Sequence, residues 1–217
     1  MAFGEVGTSL SKIKANSLNL AGTYGFSGTV SGLADETPLV LLSTFTSDGS
    51  DSDATFTSSH ITSTYKEYLF VFNNIHPETD NTNLEFHPSI DNGSNYNIAK
   101  TTSFFNAEHN EDDTGTNVYY STGSDLAQGT GGQRFNSDGI GADADQSISG
   151  IFRLYNPSST TFVKHFIGNF NFSSLGNSSF NTFVGGYANT TSAINNVQFK
   201  MSSGEIQGGT IDLFGVV

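Results

Sequence analysis

The chain has 217 residues, with 8 Lys and Arg against 21 Asp and Glu, a formal net charge of −13 and no Cys. Phosphate backbones and anionic membrane surfaces both demand clustered Lys and Arg, so nucleic acid is not expected as a partner and anionic membrane surfaces are disfavoured, while the absence of Cys excludes disulfides and thiolate metal sites. Only 13% of residues are charged while 19 Phe and 8 Tyr supply a core, which is the composition of a folded domain rich in hydroxyl and amide side chains.

The opening stretch MAFGEVGTSLSKIKANS lacks the apolar centre of a secretory signal, and no run approaches the roughly 20 apolar residues of a membrane span. The expectation is a chain made in a cytoplasm that does not leave by the usual signal route. Residues 18–32, LNLAGTYGFSGTVSG, then alternate along their whole length. Leu18, Leu20, Tyr24, Phe26 and Val30 fall on one side of an extended chain, and small or polar residues fall on the other. Fifteen extended residues reach roughly 50 Å, much longer than an ordinary strand. Two readings cover that apolar side: docking of an arm onto another subunit, with the interspersed glycines allowing close backbone approach, or an ordinary edge strand adding to a core. LADETP at 33–38 is a polar break, which places the boundary between an extended Gly-rich attachment arm at 1–36 and a folded domain at 37–217.

Beyond the break the strand candidates are short and close together. PLVLLSTF precedes the loop SDGSDSDA, and KEYLFVFNNI sets Tyr68, Phe70 and Phe72 against Leu69 and Val71, which predicts burial on both sides. NLEFHPSI ends in DNGS, a hairpin signal, and TTSFF and NVYYST follow. SDLAQGTGGQRFNSDGIGADAD reads as a mobile glycine-rich loop; it lacks the Gly-Lys-Ser/Thr of a phosphate loop and a helix behind it. SGIFRLYNP, TFVKHFIGNFNF, FNTFVGGY, NNVQFKM and TIDLFGV complete the set, with SSGEIQGG read as a hairpin joining the final two. Many short strands with turn signals about every ten residues predict an all-β fold, an antiparallel β-sandwich of jelly-roll-like kind.

FTSSHITSTYKEYLFVFNNIHPETDNTNLEFHPSIDNGSNYN, with its S-x-D-x-G-S-x-Y turn, resembles a recurring module of tailed-bacteriophage virion surface proteins, especially of marine phages. VQFKMSSGEIQGGTIDLFGVV resembles the closing segment of the same proteins, and LNLAGTYGFSGTVSG the attachment segment ahead of such modules. The resemblance implies a non-enzymatic structural protein on the virion surface, assembled in the host cytoplasm. It implies a tail fibre or receptor-binding component, with a head-decoration protein as the alternative. It further implies other virion proteins as partners of the arm, a homotrimer, and a host surface glycan as a possible ligand.

Candidate chemistry is sparse. Asp48, Asp51 and Asp53 offer oxygen ligands for calcium on one loop, without the EF-hand spacing. The five His residues contain no His-x-x-x-His pair, so no zinc site and no other cofactor is predicted. Gly-x-Ser-x-Gly is absent, and no catalytic residues are assigned; a glycan hydrolase using two carboxylates is the remote alternative. Tyr119, Tyr120, Arg134 and Phe135 are candidates for a glycan-binding rim, because aromatic faces stack on sugar rings.

Overall fold

The computed structural model describes residues 38–217. In chain order its strands are β1 (Leu39–Thr46), β2 (Ala54–Phe56), β3 (Glu67–Pro77), β4 (Leu84–Ser89), β5 (Lys100–Asn110) and β6 (Thr116–Tyr120). They continue as β7 (Gln133–Arg134), β8 (Ile148–Tyr155), β9 (Lys164–Ser173), β10 (Ser178–Ala188), β11 (Asn196–Met201) and β12 (Ile206–Val216). The described residues contain no helix. An eight-stranded sheet runs β1-β12-β3-β8-β9-β10-β5-β6, a four-stranded sheet runs β2-β11-β4-β7, and every pairing is antiparallel. The two sheets pack as a β-sandwich.

The side-chain period of two builds the core. Phe166, Phe170 and Phe172 of β9 are buried while Ile167 between them is exposed. Tyr68, Phe70 and Phe72 of β3 and Phe152 and Leu154 of β8 turn the same way. The small sheet answers with Phe56, Phe86 and Phe199. Phe199 is the hub: its ring centroid lies 4.9 Å from Phe72, 5.1 Å from Phe70 and about 6 Å from Phe86, Phe135 and Phe152. Most of these rings meet edge-on or tilted, the arrangement their quadrupoles favour. The hydroxyl of buried Tyr68 accepts from Thr62 N at 2.8 Å and donates to Thr62 O at 2.9 Å, so it costs the core nothing in unmet polarity.

Two expected hairpins are absent. SSGEIQGG joins β11 to β12, but β11 lies in the small sheet and β12 in the large one, so the segment crosses between layers. DNGS likewise leads from β4 in the small sheet to β5 in the large one. A turn signal fixes a local reversal; which sheet receives the next strand depends on pairings far away in sequence. On entering the large sheet, β12 slips register against β3 near Gly208. Gly209 sits there at φ +101°, where a Cβ would come within 2.5 Å of the Asn74 carbonyl oxygen, so only glycine fits the bulge.

The glycine-rich segment between β6 and β8 is anchored, contrary to its reading as a mobile loop. Gln133 and Asn136 are fully buried, and so is Phe135 between them. Asn136 Oδ1 accepts from Leu84 N at 2.9 Å, and its Nδ2 donates to Thr82 O at 3.1 Å. Gln133 Oε1 accepts from Thr102 Oγ1 at 2.7 Å, and Thr182 Oγ1 donates to Phe135 O at 2.6 Å. The segment is stitched to both sheets and seals one side of the sandwich.

Candidate functional site

The expected arm residues Leu18, Leu20, Tyr24, Phe26 and Val30 lie outside the described residues. The expected glycan rim does not assemble. Phe135 is a core residue with no exposed surface. Arg134 lies on β7 in the small sheet, its Nε 4.0 Å from Glu85 Oε1. Tyr119 and Tyr120 point to opposite sides of β6, since neighbours on a strand alternate. Tyr119 is half-buried and donates to Glu108 Oε2 at 3.1 Å, and burial foremost raises its pKa. Tyr120 is exposed and donates to Asp125 Oδ2 at 2.6 Å, a bond that holds its proton and raises its pKa.

The calcium candidates do not converge either. Asp48 Oδ1 accepts from Ser50 N at 3.1 Å, Asp51 Oδ2 from Asp48 N at 2.8 Å, and Asp53 Oδ1 from Thr55 Oγ1 at 2.6 Å. Each carboxylate is spent on capping its own turn. Among the described residues no three His, Asp or Glu side chains come together as a metal site.

What the fold does assemble is a surface, the outer face of the eight-stranded sheet. The registers align Leu41, Phe214, Leu69, Arg153 and Ile167 in one row across the strands. The next row is Asp212, Val71, Ile151, Asn169, Phe183, Phe105 and Tyr120. Twelve large hydrophobics are exposed among the described residues, and eight of them stand on this face, so the exposure is organised rather than scattered. Toward its β6 edge, on β5 and β10, the rings of Phe105 and Phe183 stack, centroids 4.9 Å apart and 11° from parallel, while 46% and 37% exposed. Outward positions of β9, β10, β5 and β6 carry no Asp, Glu, Lys or Arg. The charged side chains on the strands of this face lie toward β1, where Glu67 pairs with Arg153 and Asp212 Oδ1 accepts from Thr44 Oγ1 at 2.6 Å, while loop carboxylates border the β6 end, Asp125 bonded to Tyr120 and Asp113 to His109. Its amides are satisfied sideways: Asn169 Nδ2 donates to Asn181 Oδ1 at 2.9 Å, and Asn171 Nδ2 to Phe180 O at 2.8 Å.

Sequence reasoning assigned these aromatics to the core by default. The signal that finds them is the apolar doublet: Phe104-Phe105, Ile151-Phe152, Phe166-Ile167 and Phe183-Val184 each put one large side chain on either face of a strand.

At one end of the same face an open groove of about 520 Å³ is lined by Tyr155, Asn156, Thr161, Phe162, His165 and Thr191 among others. Phe162 is 70% exposed, yet its backbone is fixed. Its N–H donates to Ser159 Oγ at 3.1 Å, and its carbonyl accepts from Lys164 Nζ at 2.8 Å. An exposed aromatic ring bordered by hydroxyl and amide groups is a surface on which a sugar ring can stack and hydrogen-bond.

No family model, no curated protein and no solved structure matches the chain.

Proposed function

We propose that the chain is a non-enzymatic structural protein of the outer surface of a tailed-phage particle, acting through assembly and attachment. The observation that carries this reading is the organised, largely uncharged apolar face on a molecule of net charge −13. Exposed large hydrophobics gathered on one face, rather than scattered singly, mark a surface built to sit against another molecule. The resemblance of residues 56–97 and 197–217 to virion surface modules points the same way. Within this reading a tail fibre or receptor-binding tip comes first, supported by the groove at Phe162, which offers an exposed aromatic ring on a fixed backbone. A head-decoration protein is the second reading, supported by the breadth of the sheet face, which suits extended contact with a capsid.

Mass spectrometry of purified particles tests the proposal. The expected result is the chain in stoichiometric amount, in tens of copies or fewer for a fibre and in hundreds for a decoration protein. Its absence from particles overturns the reading. A glycan array with the parent and Phe162→Ala tests the attachment role: binding that the substitution removes supports a receptor-binding tip, and a blank array supports decoration.

A further inference from the structure

We propose that the groove at Phe162 and the row of rings beside it form one extended site for an uncharged oligosaccharide, and that this site rejects acidic glycans. The site rests on the receptor-binding reading above and sharpens it to one class of ligand.

The registers carry the site beyond the groove. Tyr187 of β10 pairs with His165 of β9 on one side and with Thr101 of β5 on the other. Tyr155 of β8 and His165 already line the groove, and the His165 and Tyr187 rings meet edge-on with centroids 6.0 Å apart. Three ring-bearing residues thus stand at outward positions of three neighbouring strands. From β8 to β5 the row covers three strand spacings, about 14 Å, which is longer than a single sugar ring. Past Tyr187 it ends in a relay of polar groups. Gln128 Nε2 donates to Thr101 Oγ1 at 2.6 Å, and Asn189 Nδ2 donates to Gln128 Oε1 at 2.7 Å. A sugar carries C–H groups on its ring faces and hydroxyls around its rim, and rings alternating with hydroxyl and amide groups suit both.

Charge selects the class of sugar. No Asp, Glu, Lys or Arg lines the groove, and His165 is the one lining side chain there able to take positive charge. Lys164 is fully buried, its ammonium spent on Phe162 O at 2.8 Å and Thr190 O at 3.0 Å. Those bonds tie the rim of Thr161 and Phe162 to the rim of Thr191, so the groove is ordered before a ligand arrives. Arg153 is paired with Glu67. Lys66 is exposed, but it alternates to the other side of its strand from Glu67 and does not line the groove. An acidic sugar would bring its carboxylate to a molecule of net charge −13 and find no free guanidinium or ammonium in the site. Dehydrating that carboxylate without a partner is costly, and an uncharged sugar avoids both penalties.

A glycan array of neutral, carboxylated and sulfated sugars, read with the parent and with variants, tests the proposal. The expected hits are uncharged, stronger for longer chains than for the single sugar, and weakened about tenfold or more by Phe162→Ala. Tyr187→Ala weakens them as far. Should a thermal melt show that losing this half-buried ring loosens the sheet, Asn189→Ala, at an exposed position, tests the same end of the row. Lys66→Met leaves the hits unchanged. Hits that carry a carboxylate or sulfate and that Phe162→Ala removes overturn the proposal while the attachment role stands. Neutral binding lost in Lys66→Met also overturns it, as does neutral binding that Phe162→Ala removes and both Tyr187→Ala and Asn189→Ala leave intact. A blank array overturns the proposal and the attachment role together.

Discussion

Lys100 on β5 and Lys164 on β9 both pair with Ala188 on β10, so two fully buried lysines share one end of the sandwich with a single small residue between their strands. Their ammonium groups rest on main-chain oxygens: Lys100 Nζ donates to Ile98 O at 2.9 Å, and Lys164 Nζ to Phe162 O and Thr190 O at 2.8 and 3.0 Å. Neither has a carboxylate within ion-pair distance among the described residues. Burial lowers both pKa values, that of Lys100 from 10.5 to about 8, with the more distant Glu85 carboxylate opposing the shift.

Stability should therefore rise with pH from about 8 towards 10. A folded pKa below the unfolded one means that the unfolded chain binds more protons in that window, so raising pH favours the folded state. The drop at Lys100 corresponds to about 3 kcal/mol in full. Above pH 10 the raised pKa values of Tyr119 and Tyr120 act in the opposite sense and end the gain. Urea denaturation at pH 7, 8.5 and 10 measures the slope. Lys100→Met should raise stability at pH 7 and flatten most of the rise; an unchanged slope refutes the assignment.

Phe199→Ala should destabilise the domain by about 3–5 kcal/mol, because it removes the ring that touches both inner faces. Phe162→Ala, the same change at an exposed ring, should stay within about 0.5 kcal/mol. Thermal melts of the two variants side by side check the contrast.

Asn136→Ala should cost about 1–3 kcal/mol, chiefly for the buried donor it strands, Leu84 N, since Thr82 O keeps its bond from Ile140 N. Amide exchange carries the sharper readout. The Leu84 and Ile140 amides should lose protection before the centre of β9 does, since Ile140 N donates to Thr82 O in the same stitch. Equal loss everywhere would mean that the segment melts only with the whole domain.

Removing residues 210–217 should abolish soluble, cooperative folding. β12 lies between β1 and β3, and its Ile211 and Leu213 are fully buried. Each such side chain contributes about 1.5–3 kcal/mol, set against a typical total of 5–15. A truncated chain that melts cooperatively near the parent's midpoint would count against this.

The strands themselves were legible because they obey the period of two. KHFIGNFNF announces its inward Phe166, Phe170 and Phe172, and TIDLFGV its inward Ile211 and Leu213. Sheet membership was not legible. NLEFHP and NVQFKM alternate like any half-covered strand, and nothing local in them says that they pair with each other across more than a hundred residues. The buried amides of Gln133 and Asn136 were hidden for a different reason. Polar residues among glycines read as solvated, and their partners Thr102, Thr82 and Leu84 come from distant strands. The apolar face was half legible: the doublets showed two large side chains per turn of the pleat, but not which of the pair would find a covering layer.

The place of β12 between β1 and β3 also sets an order of events during synthesis. β1 and β3 emerge from the ribosome early, yet the strand that joins them is made about 140 to 170 residues later. At roughly 5–20 residues per second, that is a wait of roughly ten to thirty seconds. During it β1 has no neighbour in the sheet, and the apolar side chains of β3 lack their partners Ile211 and Leu213. Such non-local closure makes folding slow and leaves the nascent chain open to mispairing with its neighbours on the same message. Yield in a host should depend on translation rate and on chaperones that shield open strand edges more than on the final stability of the sandwich.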